Sequence, residues 1–378
     1  MIKYYLRKLR NRYTNARFVL FVKRYILHKT TEKYLFKPEI LKGSNDVLIR
    51  WPSSIKKPII GLVKDYSNID FVPFNAYWPR FEKFLNYNDF KTIIFNINES
   101  NWIENVKKCD VIVYRTPSEQ YDQYESKMKV WFIENVLKKK VLPSFNQLWY
   151  YEDKIAQYYL LKELKLPVID TFISFSYEES INYINNCKYP FVSKITTGSG
   201  SLGVEIIKSR RKAERVVNKV FTSGYTTGYS YFKQKNYVYF QKYIDNCEYD
   251  LRVIVIGNKL FGYYRLTPKN DFRASGAGLV VKQEIPVEAL DFAYRVAQKL
   301  NTYFIAVDLL KDNSTNKFLI NEVSIFIQVD TDEQLHVDGK PGFYERLDEG
   351  VYNFKEGRYW IQELILEEFL KREYLNNR

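Results

Sequence analysis

Residues 304–324, Phe304-Ile-Ala-Val-Asp-Leu-Leu-Lys-Asp-Asn-Ser-Thr-Asn-Lys-Phe-Leu-Ile-Asn-Glu-Val-Ser324, place two apolar runs on either side of a polar hexapeptide. The pattern predicts strands Phe304–Leu310 and Lys317–Val323 with the turn at Lys311–Asn316. In such a hairpin Asp308 and Glu322 lie on neighbouring strands and open into one cleft. Both emerge from apolar stretches, where an unpaired charge is costly. Two carboxylates on adjacent strands suit a hard divalent cation, whose remaining ligands can be phosphate oxygens or water. The competing reading is a strand-end acid beside an exposed one.

Working outward, Tyr237–Ile244, Asp250–Ile256 and Lys259–Arg265 alternate as strands of an antiparallel sheet with one solvated face, and residues 286–300 read as a helix. Upstream, Phe172–Phe175, Phe191–Lys194 and Val204–Ile207 read as strands and residues 210–221 as a helix of mixed charge. Residues 153–165 have helical spacing and are stopped by Pro167. Before them, Pro58–Val63, Thr92–Phe95, Val111–Tyr114 and Val141–Pro143 are short buried strands separated by helical stretches at 78–87 and 120–139. That alternation predicts a parallel sheet. From residue 356 onward the chain reads as a charged amphipathic helix. The divisions are a basic aromatic arm (1–45), a first lobe (55–145), a central domain (146–345) and a helical extension (346–378).

Lys194 closes one strand and is followed by Ile-Thr-Thr-Gly-Ser-Gly-Ser-Leu-Gly203. Glycines at 198, 200 and 203 let backbone N–H groups turn toward an anion, with the lysine as a fixed positive charge. Taken alone, this is also the composition of a Gly-Ser hairpin, and it is no Walker loop because the lysine precedes the glycines. Arg252 and Arg273 could stabilise a developing anion by pre-positioned charge, although each read singly is an ordinary surface ion pair. With only His28 and His336 in the chain, a histidine-dependent triad is excluded as a working reading.

The net charge of +14 is concentrated at one end: residues 1–38 carry eleven Lys or Arg against Glu32 alone, leaving +10 there. The rest is nearly balanced, which argues against nucleic acid as a partner. The arm interleaves its charge with Tyr, Phe and Leu, a mixture suited to an anionic membrane surface or to a solvated helix packed on its own protein. Three scattered cysteines suggest neither a disulfide framework nor a zinc site, and no run approaches the length of a membrane span, so the expected location is cytoplasmic, with peripheral attachment to the inner face of the membrane through the arm.

Residues 150–335 together resemble the ATP-grasp superfamily of carboxylate–amine ligases, most nearly the branch that includes ribosomal-protein glutamate ligases. The resemblance rests on an ordered set: Asp153-Lys154, Phe191-Val-Ser-Lys194 with Gly198-Ser199-Gly200 and Gly203, Gln241-Lys242-Tyr243-Ile244, Asp250-Leu-Arg252, Asn270-Asp-Phe-Arg273, Ala306-Val-Asp308 and Ile320-Asn-Glu322. It implies an α/β (α+β) fold, with a Rossmann-like lobe preceding a two-lobed ATP-grasp domain built on antiparallel sheet. ATP would lie between two sheets, with Lys154 and Lys194 on its phosphates and Gly198, Ser199, Gly200 and Gly203 in a loop closing over them. Gln241, Lys242, Tyr243 and Ile244 would form the adenine hinge, and Asp308 and Glu322 would hold Mg²⁺. The implied chemistry is amide formation through an acylphosphate, with Arg273 on the oxyanion and Arg252 positioning the acid or a phosphate. Glu322-Val-Ser324 stands where the family usually has Glu-x-Asn, which makes Ser324 a weaker third metal ligand, with Gln328 as a candidate helper. An acidic small molecule or a uronic-acid-bearing glycan would be the acceptor and an amine the second substrate. The alternatives are a ligase acting on a peptide or protein tail and a catalytically silent nucleotide-binding protein. The sequence names neither acceptor nor amine, nor an oligomeric state.

Overall fold

The computed structural model describes residues 49–65, 77–118, 120–198, 203–226, 233–245, 247–268, 274, 279–326 and 335–375. The basic arm, Ser199, Gly200, Asn270–Arg273 and Gln328 therefore lie outside the described residues.

Short apolar runs can be buried on both faces only in a sheet covered from both sides, and the first lobe is built this way. Strands β1 (Ile60–Val63), β2 (Thr92–Phe95), β3 (Val111–Val113) and β4 (Lys140–Leu142) alternate with helices α1 (Trp78–Tyr87), α2 (Trp102–Lys107) and α3 (Gln120–Asn135). The strands run parallel in the order β2-β1-β3-β4. Helix α3 stops at Asn135, short of the expected 139, and Lys138 takes a left-handed backbone conformation (φ 54°) that a helix cannot hold. Asp65, just past β1, accepts the backbone N–H groups of Tyr77 and Trp78 at 2.9 and 3.1 Å and so caps α1 from twelve residues away.

Two helices, α4 (Phe145–Tyr150) and α5 (Lys154–Glu163), lead into the second lobe. It contains β5 (Thr171–Ser174), α6 (Tyr177–Asn186), β6 (Phe191–Ser193), β7 (Glu205–Ile207), α7 (Arg210–Val220), the small pair β8 (Tyr225–Thr226) and β9 (Lys233–Gln234), and β10 (Val238–Lys242). The sheet β5-β10-β6-β7 is antiparallel and packs on α6 and α7 through Ile184, Phe191, Ile207, Val216, Val217 and Phe240.

The large sheet is formed from β11 (Tyr249–Ile256), β12 (Lys259–Leu266), β13 (Val280–Val281), β14 (Phe304–Asp312), β15 (Lys317–Ser324), β16 (Leu335–Val337), β17 (Lys340–Asp348) and β18 (Val351–Glu356). Its main order is β15-β14-β11-β12-β17-β16. Helix α8 (Val287–Lys299) covers it through Ala289, Leu290, Ala293 and Val296. The hairpin is as expected, with Asp308 directly opposite Glu322.

The tail differs from its expectation. Residues 346–348 and 351–356 belong to two strands joined by a turn, and α9 (Ile361–Leu370) has no charged outer face: its apolar residues are buried on every side, and so are Glu363 and Glu367. Arg80 of α1 resolves the apparent contradiction. Its guanidinium is fully buried, 3.0 Å from Glu363 and stacked 3.6 Å from the Trp360 ring centroid, so one charge of a helix fixed against α1 and β11 is neutralised from a distant part of the sequence.

Candidate functional site

One face of the large sheet gathers charge. Arg252 pairs in register with Asp308, and Asp308 with Glu322, forming a row across three strands; Asp250 faces Arg265 one step away on the same side. Arg252 grips Asp308 with both prongs, Nε to Oδ1 at 2.6 Å and Nη2 to Oδ2 at 2.7 Å. Arg265 adds an ion pair to Asp308 Oδ2 at 2.7 Å and a short hydrogen bond to Asp250. Burial alone would raise the Asp308 carboxyl, but the two guanidinia outweigh it and hold the group well below the usual carboxylate range. Asp250, buried with less compensation, is pushed up to about 6.

The second lobe brings lysines to this row. Lys154 opens α5, whose N-terminus is capped by Asp153 accepting from Ile155 and Ala156. Thr196 donates to the same Asp153 carboxylate at 2.6 Å and accepts the Lys154 N–H at 2.9 Å, docking the loop after β6 onto the helix. Lys154 Nζ then reaches both Glu322 Oε1 at 3.0 Å and the Gly198 carbonyl at 2.9 Å. Burial opposes its charge, but Glu322 and Glu152 raise its pKa. Lys194 Nζ donates to Asn321 Oδ1 at 2.8 Å; burial brings its pKa down to about 8, with Glu322 opposing and Lys154 adding.

Asn321 and Glu322 are consecutive, and regular strand geometry would send them to opposite faces. The register between β14 and β15 skips Asn321, and this bulge lets both residues meet lysines of the other lobe. Gly203 closes the loop at φ 72°, where a Cβ would also lie 2.6 Å from Ile195 Cδ1.

The proposed hinge connects the two sheets. Gln241 is buried on β10 with Nε2 3.3 Å from Thr171 Oγ1, and it lines a small cleft with Lys154, Tyr158, Tyr239 and Ile320. Ile244 is buried and Tyr243 half-buried. The Lys242 side chain is exposed, 3.8 Å from Asp312, and does not line the cleft.

Asp308 and Glu322 fit a shared divalent cation in a specific way. A carboxylate offers about four lone-pair positions; the Arg252 fork takes one on each Asp308 oxygen and Arg265 stands beside Oδ2 as an ion pair, so Oδ1 keeps a lone pair. Glu322 has Oε2 without a protein hydrogen bond among the described residues. Ser324 lies on the Glu322 side of β15, but its hydroxyl donates to the Phe326 carbonyl at 2.6 Å, so only oxygen lone pairs remain to it. Among the described residues no three acidic, histidine or cysteine side chains cluster as a self-sufficient metal cage. The donor set therefore suits Mg²⁺, which keeps water and phosphate oxygens in its shell, rather than an ion held by protein alone.

Sequence reasoning missed several members of this site. Gln157 bonds the main chain of Val323 through both ends of its amide, at 2.9 and 3.1 Å, covering the outer edge of β15. Glu152, in a left-handed conformation (φ 53°) just before the Asp153 cap, is pushed up to about 7 by burial, and its Oε2 has no hydrogen-bond partner among the described residues. Arg265 was readable by counting back from the two-residue Gly257-Asn258 turn, which sets it opposite Asp250.

Comparison with known proteins agrees with this geometry. A RimK-like ATP-grasp domain matches residues 151–338. The chain is 27% identical over 176 residues to the alpha-aminoadipate–LysW ligase LysX of Saccharolobus solfataricus, covering 46% of this chain and 61% of that protein. It is 25% identical over 281 residues to LysX of Sulfurisphaera tokodaii, covering 74% and 87%. Among solved structures, a D-alanine–D-alanine ligase from Bacillus anthracis complexed with ATP superposes with a TM-score of 0.50 at 14% identity, covering 71% of this chain and 86% of that one, a likeness of fold.

Proposed function

Since residues 151–338 are a RimK-like ATP-grasp domain, we propose that the protein is an ATP- and Mg²⁺-dependent ligase that joins a carboxylate to an amine. The observation that carries this reading is Lys154 Nζ, which ties the glycine loop at Gly198 to Glu322 while Lys194 lies across Asn321 and Arg252 fixes Asp308. Two buried ammonium groups and two carboxylates in one seam favour a polyphosphate with its counter-ion.

In the proposed reaction the substrate carboxylate oxygen attacks the γ-phosphorus and the bond to ADP breaks. The amine nitrogen then attacks the acyl carbon, phosphate leaves with the C–O electron pair, and the nitrogen gives up a proton. Mg²⁺, held by Asp308 and Glu322, would neutralise charge on the phosphates. Lys154 and Lys194 provide fixed positive charge that need not reorganise as the phosphoryl group moves. Arg252 acts through Asp308, fixing the orientation of the carboxylate that would hold the metal.

For the substrates, the basic arm supports an acidic glycan presented at a membrane surface, and with it a cytoplasmic, membrane-peripheral location. The relatives, alpha-aminoadipate–LysW ligases, favour a second reading in which an amino acid is joined to a protein partner. ADP release with hydroxylamine in place of the amine, measured across glycan and peptide acceptors, separates the two.

The first test needs no substrate. MgATP at one hundred times its dissociation constant should stabilise the folded protein by about 2.7 kcal/mol. The effect should require Mg²⁺ and be lost in Glu322→Ala and Lys194→Ala. A wild-type protein whose unfolding does not respond to MgATP would remove the basis of the ligase reading.

A further inference from the structure

Arg115 follows β3 at the carboxyl end of the parallel sheet, the edge at which open α/β sheets receive ligands. It is largely buried, and its Nε has no hydrogen-bond partner among the described residues. Its nearest carboxylate, Asp65, lies 3.8 Å from Nη1, beyond hydrogen-bond distance, and both Asp65 oxygens already accept N–H groups at the start of α1. Aromatic rings hold the guanidinium in place: its central carbon is 5.5 Å from the Tyr77 centroid and 5.9 Å from that of Phe326, with Tyr77 from the first lobe and Phe326 just past β15. A cation this deep is ordinarily matched by a bidentate anion. Thr116, the next residue, also buries a hydroxyl without a partner among the described residues.

Arg115 also lies close to the chemistry. Phe326, over whose ring it lies, is two residues past Ser324 and packs with its centroid 5.3 Å from that of Tyr151, next to Glu152 and the Asp153 cap of α5. Resting on the ligase reading above, we infer that Arg115 is the receptor for a substrate carboxylate, bound between the first lobe and the end of β15. The carboxylate belongs either to the acyl donor, where it is the reacting group, or to the amine-bearing substrate, where it is a handle. Both present the same planar anion to the guanidinium fork.

The test uses the full chain saturated with Mg²⁺ and a non-hydrolysable ATP analogue. Glutarate, which has carboxylates and no amine, and L-glutamate, which has both, are the probes, read as shifts of the thermal midpoint over a titration. The expected result is a saturable shift with at least one probe, weakened at least tenfold in affinity in Arg115→Ala and partly recovered in Arg115→Lys, while the shift caused by the nucleotide analogue alone is unchanged. A response to glutarate assigns the site to the acyl donor; a response to L-glutamate alone assigns it to the amine-bearing substrate. Absence of a shift with either probe, or equal affinity in wild type and Arg115→Lys and Arg115→Ala, overturns the inference. Loss of the nucleotide response with an Arg115-dependent carboxylate shift intact would instead remove the ligase reading and leave the anion site standing.

Discussion

Asp308 and Glu322 are proposed together as metal ligands, yet their surroundings assign them different weights in the folded chain. Asp308 is only 6% exposed and bears two arginines, themselves 15% and 10% exposed. Changing it to Asn preserves shape but leaves Arg252 facing a neutral amide and returns Arg265 to Asp250 alone. Removing one partner of a buried ion pair costs about 3–5 kcal/mol. Glu322 is a quarter exposed and makes one hydrogen bond of 3.0 Å, to Lys154, which keeps the Gly198 carbonyl. Glu322→Gln should therefore cost only about 1–2 kcal/mol. Urea unfolding without nucleotide would measure both, and calorimetric titration with ATP, with and without Mg²⁺, would measure the binding each loses. The expected pattern is a large stability gap between two variants that both lose metal-dependent ATP binding. Stabilities within about 0.5 kcal/mol of each other would refute the assignment of Asp308 as the anchor of its arginines.

Two further outcomes follow from buried charges. Because the folded-state value of Lys194 is about 8, below its ordinary 10.5, its buried ammonium costs stability below pH 8 and that cost is relieved as pH rises through 8 to 10.5. With Lys194 on the phosphates as proposed, nucleotide binding would take up a proton above pH 8, so the dissociation constant should rise toward tenfold per pH unit there; a flat wild-type profile from pH 7 to 9.5 would contradict this. Glu363→Ala should destabilise the chain by about 3–5 kcal/mol, and the paired change Arg80→Met with Glu363→Met should recover most of it; a single-variant loss under about 1 kcal/mol would show that the pair is not a principal support.

Much of this was legible because the strands of the first lobe are unbroken apolar runs and the Asp308 hairpin has an unambiguous polar turn. Strand pairing then delivers Asp308 beside Glu322 without further information. What remained hidden depends on distances along the chain. Nothing local to Glu363 says that Arg80 will neutralise it, so α9 reads as a charged amphipathic helix although it is buried on every side. Strands β16 to β18 carry mixed burial and many charges, giving no clean alternation to read. The bulge at Asn321 is set by pairing rather than composition, and Arg115 gains its meaning only when Tyr77 and Phe326 close around it.

The burial of α9 also bears on how this protein divides. The family-matched stretch ends at residue 338, but β17 pairs with the outer edge of β12, and α9 seals β11 from beneath. Excising residues 151–338 would leave an apolar sheet face wet and a strand edge bare, a recipe for association between copies. The heritable module recognised in the sequence is thus smaller than the thermodynamic one. A gene fusion or domain exchange respecting the folded unit would have to carry the first lobe and the C-terminal helix along with the nucleotide-binding centre.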